Sequence, residues 1–413
     1  MSAGIDTSNR EFDIVVFGAS GFTGRLVAEY LFGQYAAGGE LRWAVAGRNV
    51  EKLRRVMQEI GIPDGAVEML VADSTDAESL NAIAARTRVV LTTVGPYAQH
   101  GSALVAACVA NGTGYVDLAG EVQWMRQMID AHQKEAEATG ARIVHACGFD
   151  SIPSDMGVWF LQRESVDRFG KNCVTVALGV RAIRGGFSGG TAASLLNAIE
   201  EGKRDRNIAR MMVDPYSLNP EGEREGPDGR DQQGPAYSEA LNSWTCPFVM
   251  AVINQRVVRR TNALLKYDYG RDFRYREATM TGPGLGGRMK AVSASVAMGA
   301  FMAASAVDFT RENIVKRLVP DQGDGPGEKE RESGFFNLVL VGTTNAGETI
   351  RVRVTGDRDP GYGSTCKMIA ESAVCLAKDD LPVGGGFWTP ASAMGGKLLT
   401  RLQSNAGLTF DVL

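Results

Sequence analysis

The residue pattern predicts an α/β fold: a parallel-sheet domain first, then an α+β domain built on a largely antiparallel sheet. Three observations carry this. Residues 12–24 read FDIVVFGASGFTG, an apolar run that meets glycines at 18, 21 and 24 and leads into an amphipathic run with Leu26, Val27, Tyr30 and Leu31 on one face. Apolar strands and amphipathic helices then alternate to residue 150. Beyond residue 174 strands follow one another more directly, and residues 335–344 and 349–354 flank Asn345-Ala346-Gly347, a hairpin signal.

The first stretch organises the rest. A strand that runs through G-x-x-G-x-x-G into a helix is the context in which such glycines bind a dinucleotide. Gly18 permits the tight turn, Gly21 lets a pyrophosphate approach the backbone, and Gly24 lets the helix pack on the strand. Ala19, Ser20, Phe22 and Thr23 complete the cradle, whose helical N–H groups face the phosphates.

Residues 41–46 (LRWAVA) are a second strand, ending at Gly47-Arg48-Asn49. The adenosine ribose lies at this point in a Rossmann domain, and an acidic residue there would hold the 2′-hydroxyl of NAD. Arg48 stands there instead, and a guanidinium suits a 2′-phosphate, which points to NADP(H). The alternative is a solvated residue at a helix start. Asn49 is placed to cap the helix 50–60.

Residues 67–72 are a third strand, followed by Asp73, which suits either the adenine amine or a local cap. The fourth strand, 88–94, ends in Gly95-Pro96-Tyr97, where bare backbone can approach the cofactor. Strands at 115–118 and 141–146 complete a six-stranded Rossmann domain over residues 1–150. Ser151, ahead of Pro153, is placed to cap the next helix.

Residues 151–358 form the expected α+β domain. It opens with a strand at 174–183 and a second glycine-rich turn, 185–191 (GGFSGGT), which lacks the Lys-Ser/Thr of a P-loop. That turn suits either a substrate contact or a tight bend. The polar stretch 220–235 reads as a mobile loop, 248–258 and 273–280 as strands, 313–318 as a short helix and 320–334 as a loop. Residues 291–307 (AVSASVAMGAFMAASAV) carry no charge over seventeen positions, and a buried or interfacial helix fits them better than a membrane span. Residues 359–413 are expected to pack back toward the first domain through a helix at 364–377, a loop at 384–390, a short helix at 397–402 and a strand at 408–412.

Composition narrows the function classes. A chain of 413 residues and 44% hydrophobic content supports two domains with real cores. A net charge of −4 gives no field for nucleic acid. Six scattered cysteines without a C-x-x-C pair read as buried thiols of a cytoplasmic protein, and the three histidines have no metal-ligand spacing. No signal peptide is read at the start.

Several stretches together resemble the saccharopine dehydrogenase-like oxidoreductases, and within them the trans-acting enoyl reductases. They are GASGFTGRL (18–26), AGR (46–48), TTVGPY (92–97), YVDLAGE (115–121), ACGFDSIPSD (146–155), GGFSGGT (185–191), DPGYGSTCKM (359–368) and TPASAMG (389–395). The resemblance covers nearly the whole chain, in order. It implies an NADP-dependent reductase of lipid intermediates, with one branch reducing an enoyl thioester on a polyketide synthase for phthiocerol-type lipids and phenolic glycolipids. The sequence departs from the pattern at His100, where relatives carry an aromatic residue, and at Ala119, where Thr is common.

Enoyl reduction adds a hydride at the β-carbon and a proton at the α-carbon, and charge develops on the carbonyl oxygen. Tyr97 is the first candidate donor, since it follows the fourth strand; His100 is the second, and Asp150 and Ser151 lie at the sixth strand's end, near the same crevice. Each also has a structural reading, as a packed aromatic or a helix cap, and Asp117 and Glu121 read as structural. The expected partners are an acyl or lipid substrate, on a carrier protein or free, a peripheral membrane contact through 291–307, here the plasma membrane, and a second copy of the chain. The alternative functions are reduction of an imine or secondary amine, as in saccharopine chemistry, and a non-catalytic NADP-binding protein on a lipid surface.

Overall fold

The computed structural model describes residues 4–36, 39–185, 189–311 and 325–413. Its first six strands are β1 (Phe12–Phe17), β2 (Trp43–Gly47), β3 (Glu68–Val71), β4 (Thr87–Thr92), β5 (Gly114–Val116) and β6 (Arg142–Val144). They pair in parallel in the order β6-β5-β4-β1-β2-β3, the Rossmann order. All of β1 is buried. Its one charge, Asp13, is tolerated because Arg42, Arg88 and Lys378 come within 3.7, 3.4 and 3.5 Å of its carboxylate.

The second sheet takes β7 (Cys173–Arg184), β8 (Ala236–Ser238), β9 (Ser243–Cys246), β10 (Arg274–Gly282), β11 (Phe335–Thr344) and β12 (Thr349–Gly356). The chain then returns to the first sheet with β13 (Gly386–Trp388), parallel to β6, and ends in the second with β14 (Leu408–Val412), antiparallel to β12. The second sheet runs β14-β12-β11-β7-β10-β9-β8. It is antiparallel except for the pair β7–β10, which makes it mixed.

The described residues form two compact units. One holds the chain up to Phe149 and again Gly361–Gly407; the other holds Asp150 to Arg311, Pro326–Pro360 and Leu408–Leu413. In the first, helix Gly363–Lys378 packs on β1, β4 and β5 beside helix Phe22–Tyr35, covering a face that a parallel sheet must bury. In the second, helix Ile152–Phe169 packs on β7, β11, β12 and β14.

Several expectations need correction. The tail returns to the first unit over Gly361–Gly407, as expected, but its last strand does not: β14 extends the second sheet. Residues 384–390 are not wholly loop, since they contain the edge strand β13; Pro390–Ser404 is helical with a break at Gly395, and the short helix expected at 397–402 lies in the segment after that break. The strand expected at 248–258 is the start of helix Ala251–Leu264, which is buried nearly all round. Its apolar residues therefore leave no one-sided stripe for a period to reveal. The stretch 220–235 is anchored rather than mobile: Asp228 takes a bond from Arg259 Nε at 2.7 Å, and Asp231 one from Arg256 at 2.9 Å. The loop expected at 320–334 contains helix Glu328–Glu332. The helix expected at 313–318, residues 186–188 of the second glycine turn and residues 320–324 lie outside the described residues. The uncharged stretch falls in helix Gly284–Ala306, of which only Gly287, Ala291 and Ser305 are buried; a buried helix is excluded.

Candidate functional site

β1 delivers the chain to Gly18, which sits at φ +90 and donates its N–H to the Ala46 carbonyl at 2.9 Å. A side chain there would be strained, and its Cβ would come within 2.6 Å of Val94. The turn closes as Gly21 N–H donates to Gly18 O at 2.9 Å, and helix Phe22–Tyr35 begins. A Cβ on Gly24 would overlap the Gly18 carbonyl, so only glycine lets this helix approach the turn. No side chain among the described residues caps the helix, and its first turn carries no acid. Ala19 is buried; Ser20, Gly21, Phe22 and Thr23 are at least partly exposed. A dipole-backed helix start without its own anion fits a pyrophosphate.

Arg48 is exposed directly after β2. Asn49 caps the following helix, accepting from Lys52 N at 2.9 Å, which leaves Arg48 outside the cap. β3 lies beside β2 and brings Asp73 into the same neighbourhood. Asp73 accepts from Thr75 N at 2.9 Å and from the Thr75 hydroxyl at 2.8 Å. These two bonds hold its carboxyl below the ordinary value, and Arg48 and then His100 add to that. The helix after it is capped by Asp76, so Asp73 shapes the turn and is not the cap.

The loop after β4 is fixed from within. The Gly95–Pro96 peptide is cis. The buried Glu121 carboxylate accepts from Tyr97 N at 2.8 Å and Ala98 N at 3.0 Å. Tyr97 is itself buried; its hydroxyl donates to Thr92 O at 3.3 Å, accepts from Leu118 N at 3.1 Å, and its ring stacks on Trp124. That corrects the first catalytic candidate: the Tyr97 hydroxyl ties β4 to the loop after β5 and is a positioning group. Asp117 is structural too. It meets His145 Nδ1 at 2.7 Å and accepts from Ala119 N and Ala146 N, both at 3.0 Å. All six cysteines are buried.

Asp150 and Ser151 open the second unit. Asp150 is partly exposed. Ser151 occupies the N-cap of helix Ile152–Phe169, yet its hydroxyl makes no capping bond. It donates to Asn254 Oδ1 at 3.1 Å, a residue 103 positions along. Asn254 Nδ2 in turn donates to Glu277 Oε1 at 2.6 Å, and the Tyr275 hydroxyl to Glu277 Oε2 at 2.9 Å. Burial pushes the Glu277 carboxyl up to about 7, against the pull of its hydrogen bonds. Ser151 therefore holds the cap position without a side-chain capping bond, and the sequence reading missed Asn254, Tyr275 and Glu277. A polar residue inside a buried helix and an acid inside a strand were the available signals.

The structure thus gathers Gly18–Gly24, Arg48, Asp73, Gly95 and Pro96 at the carboxyl ends of β1 to β4, where open α/β sheets bind ligands. Tyr97 belongs to the same unit with its hydroxyl turned inward, and Asp150 and Ser151 belong to the other.

Residues 14–144 match the family model described as the saccharopine dehydrogenase NADP binding domain. A trans-acting enoyl reductase of Mycobacterium leprae is 38% identical over 406 residues, 96% of each chain. One of Mycobacterium tuberculosis is 39% identical over the same length and share. A second protein of that organism, provisionally named for the same activity, is 42% identical over 417 residues, 97% of each chain. Among solved structures, saccharopine dehydrogenase (L-Glu forming) from Saccharomyces cerevisiae aligns at TM-score 0.54 and 14% identity, covering 97% of this chain and 99% of that one. Homospermidine synthase from Legionella pneumophila, solved with NAD, aligns at TM-score 0.56 and 11% identity, covering 99% and 92%. At such identities these two speak for the fold alone.

The chain is an NADP-dependent oxidoreductase with a saccharopine dehydrogenase-type fold. It belongs to the family of the mycobacterial trans-acting enoyl reductases. The cradle fits the cofactor: an uncapped helix start for the pyrophosphate and an exposed guanidinium after β2.

Proposed function

We propose that this chain reduces an enoyl group on a lipid-linked acyl intermediate, with NADPH as reductant. The observation that carries the reading is 38–42% identity, over nearly the whole chain, to proteins named for enoyl reduction. NADPH, when bound, supplies the hydride. The chain's own residues hold and orient it. Helix Phe22–Tyr35 and the glycine turn take the pyrophosphate, Arg48 the 2′-phosphate, and the Gly95–Pro96 backbone borders the ribose and nicotinamide side.

Reduction puts charge on the acyl oxygen and calls for a proton at the α-carbon. Either a side chain or water can supply that proton. Ser151 is fully buried, its O–H given to Asn254, which Glu277 and Tyr275 hold through a continuous run of hydrogen bonds. A saccharopine-type substrate is anionic and calls for arginines turned toward it. Arg256 and Arg259 of the second unit are buried against Asp231 and Asp228 and so are not placed to serve one.

The test is NADPH consumption by the purified chain with enoyl-thioester, 3-ketoacyl-thioester and imine substrates, each with long and short acyl chains. Mass spectrometry should find the saturated acyl product, formed faster from the long chain. Turnover confined to the keto or imine substrates, or tight NADPH binding with no turnover at all, overturns the proposal.

A further inference from the structure

We propose that helix Gly284–Ala306 seats the second unit on a lipid bilayer, lying in the plane of its interface. The helix is 23 residues long, and residues 291–307 carry no charge. By length and composition it could cross a membrane. In water, a helix that is apolar all round is found buried. Here Leu285, Met289, Val296 and Phe309 are 78, 71, 66 and 74% exposed. Leu285, Met289, Val292 and Val296 form one outward stripe at spacings of four, three and four.

Both ends of the helix are tied to the folded unit. At its start Thr281 Oγ1 donates to the carbonyls of Gly287 and Trp244, each at 2.9 Å. Just beyond its end Arg311 lies 3.9 Å from Glu200, on helix Gly189–Arg204. A segment held at both ends lies along the surface and does not leave it to span.

The occupant follows from what surrounds the stripe. A second copy of the chain, docking in water, would meet an apolar centre edged by a polar rim. Ser293, Ala294, Ala297, Ala300 and Ala303 are all exposed and give no charged rim on either side. Among the described residues, exposed charge flanks the helix start, with Arg288 and Lys290, while Arg311 beyond its end is buried beside Glu200. Cations flanking an apolar helix suit anionic headgroups above hydrocarbon. The seat would hold a cytoplasmic chain peripherally at a membrane, and it stands apart from the reductase reading.

The test is flotation of the purified full-length chain with vesicles of phosphatidylcholine, alone or mixed with phosphatidylglycerol. The wild type should float, and more of it with the mixed vesicles. The double variant Val292→Lys, Val296→Lys should partition at least about ten-fold less, since two valines lose burial, while its melting midpoint and NADPH affinity stay unchanged. Three results overturn the proposal: no flotation of the wild type, equal flotation of the double variant, or a wild-type dimer in light scattering that the double variant converts to monomer.

Discussion

Arg48 carries the cofactor preference on one exposed side chain after β2. A guanidinium bonded to a phosphate contributes about 1.5–3 kcal/mol, equivalent to about ten- to hundred-fold in affinity. Replacing Arg48 with Ala should therefore weaken NADPH by that factor and leave NADH nearly unchanged, measured by fluorescence titration. Equal loss for both would show that Arg48 does not read the 2′-phosphate. Glu277 has a different signature. Its carboxyl sits at about 7 in the fold against an ordinary 4.5, so the folded state holds its proton more tightly than the unfolded chain. The associated stability is complete below the ordinary value and is lost as pH rises from there through about 7. The loss amounts to about 3 kcal/mol. Glu277→Gln keeps a neutral group there. Its melting midpoint relative to wild type should rise steadily between mildly acidic and mildly basic pH, and a flat difference would mean that the carboxyl does not titrate in this range.

At the scale of the element, the second unit depends on pairs that join distant pieces of chain. Asp228 and Arg259 are both 2% exposed and 2.7 Å apart, and they pin the stretch 220–235 to helix Ala251–Leu264. Removing one partner of a buried pair leaves the other charge uncompensated. Asp228→Asn should cost about 3 kcal/mol in chemical denaturation and open 220–235 to limited proteolysis. An unchanged denaturation midpoint would mean that the loop is held by other contacts. The same pairs explain a misreading. GEREGPDGRDQQG has the composition of a mobile loop, and nothing local shows that its acids find buried arginines downstream. Helix Ala251–Leu264 was equally hidden, because burial on every side removes the one-sided stripe that periodicity detects. The glycine turn was legible for the opposite reason. Each demand it meets, from the left-handed φ of Gly18 to the close approach at Gly24, is satisfied within a few residues of sequence.

At the scale of the whole molecule, the chain leaves the first unit at Phe149, builds the second, returns at Gly361 and ends in the second sheet. The alternation of the first 150 residues made the six parallel strands readable. β14 was readable as a strand at 408–412 but not its place in the second sheet, and β13 was missed, since a three-residue edge strand takes its partner from a sheet formed hundreds of residues earlier. The cofactor half of the candidate site was legible in the same way as the strands that carry it. The buried polar network of the second unit was legible only as Asp150 and Ser151, because Asn254 and Glu277 reach Ser151 through space. The most direct test of the account is transfer of deuteride from labelled NADPH to a long-chain enoyl thioester, followed by mass spectrometry of the product. The account predicts one deuterium at the β-carbon and one NADPH consumed per saturated product. NADPH bound by the chain, with no deuterium in any acyl product, would contradict it.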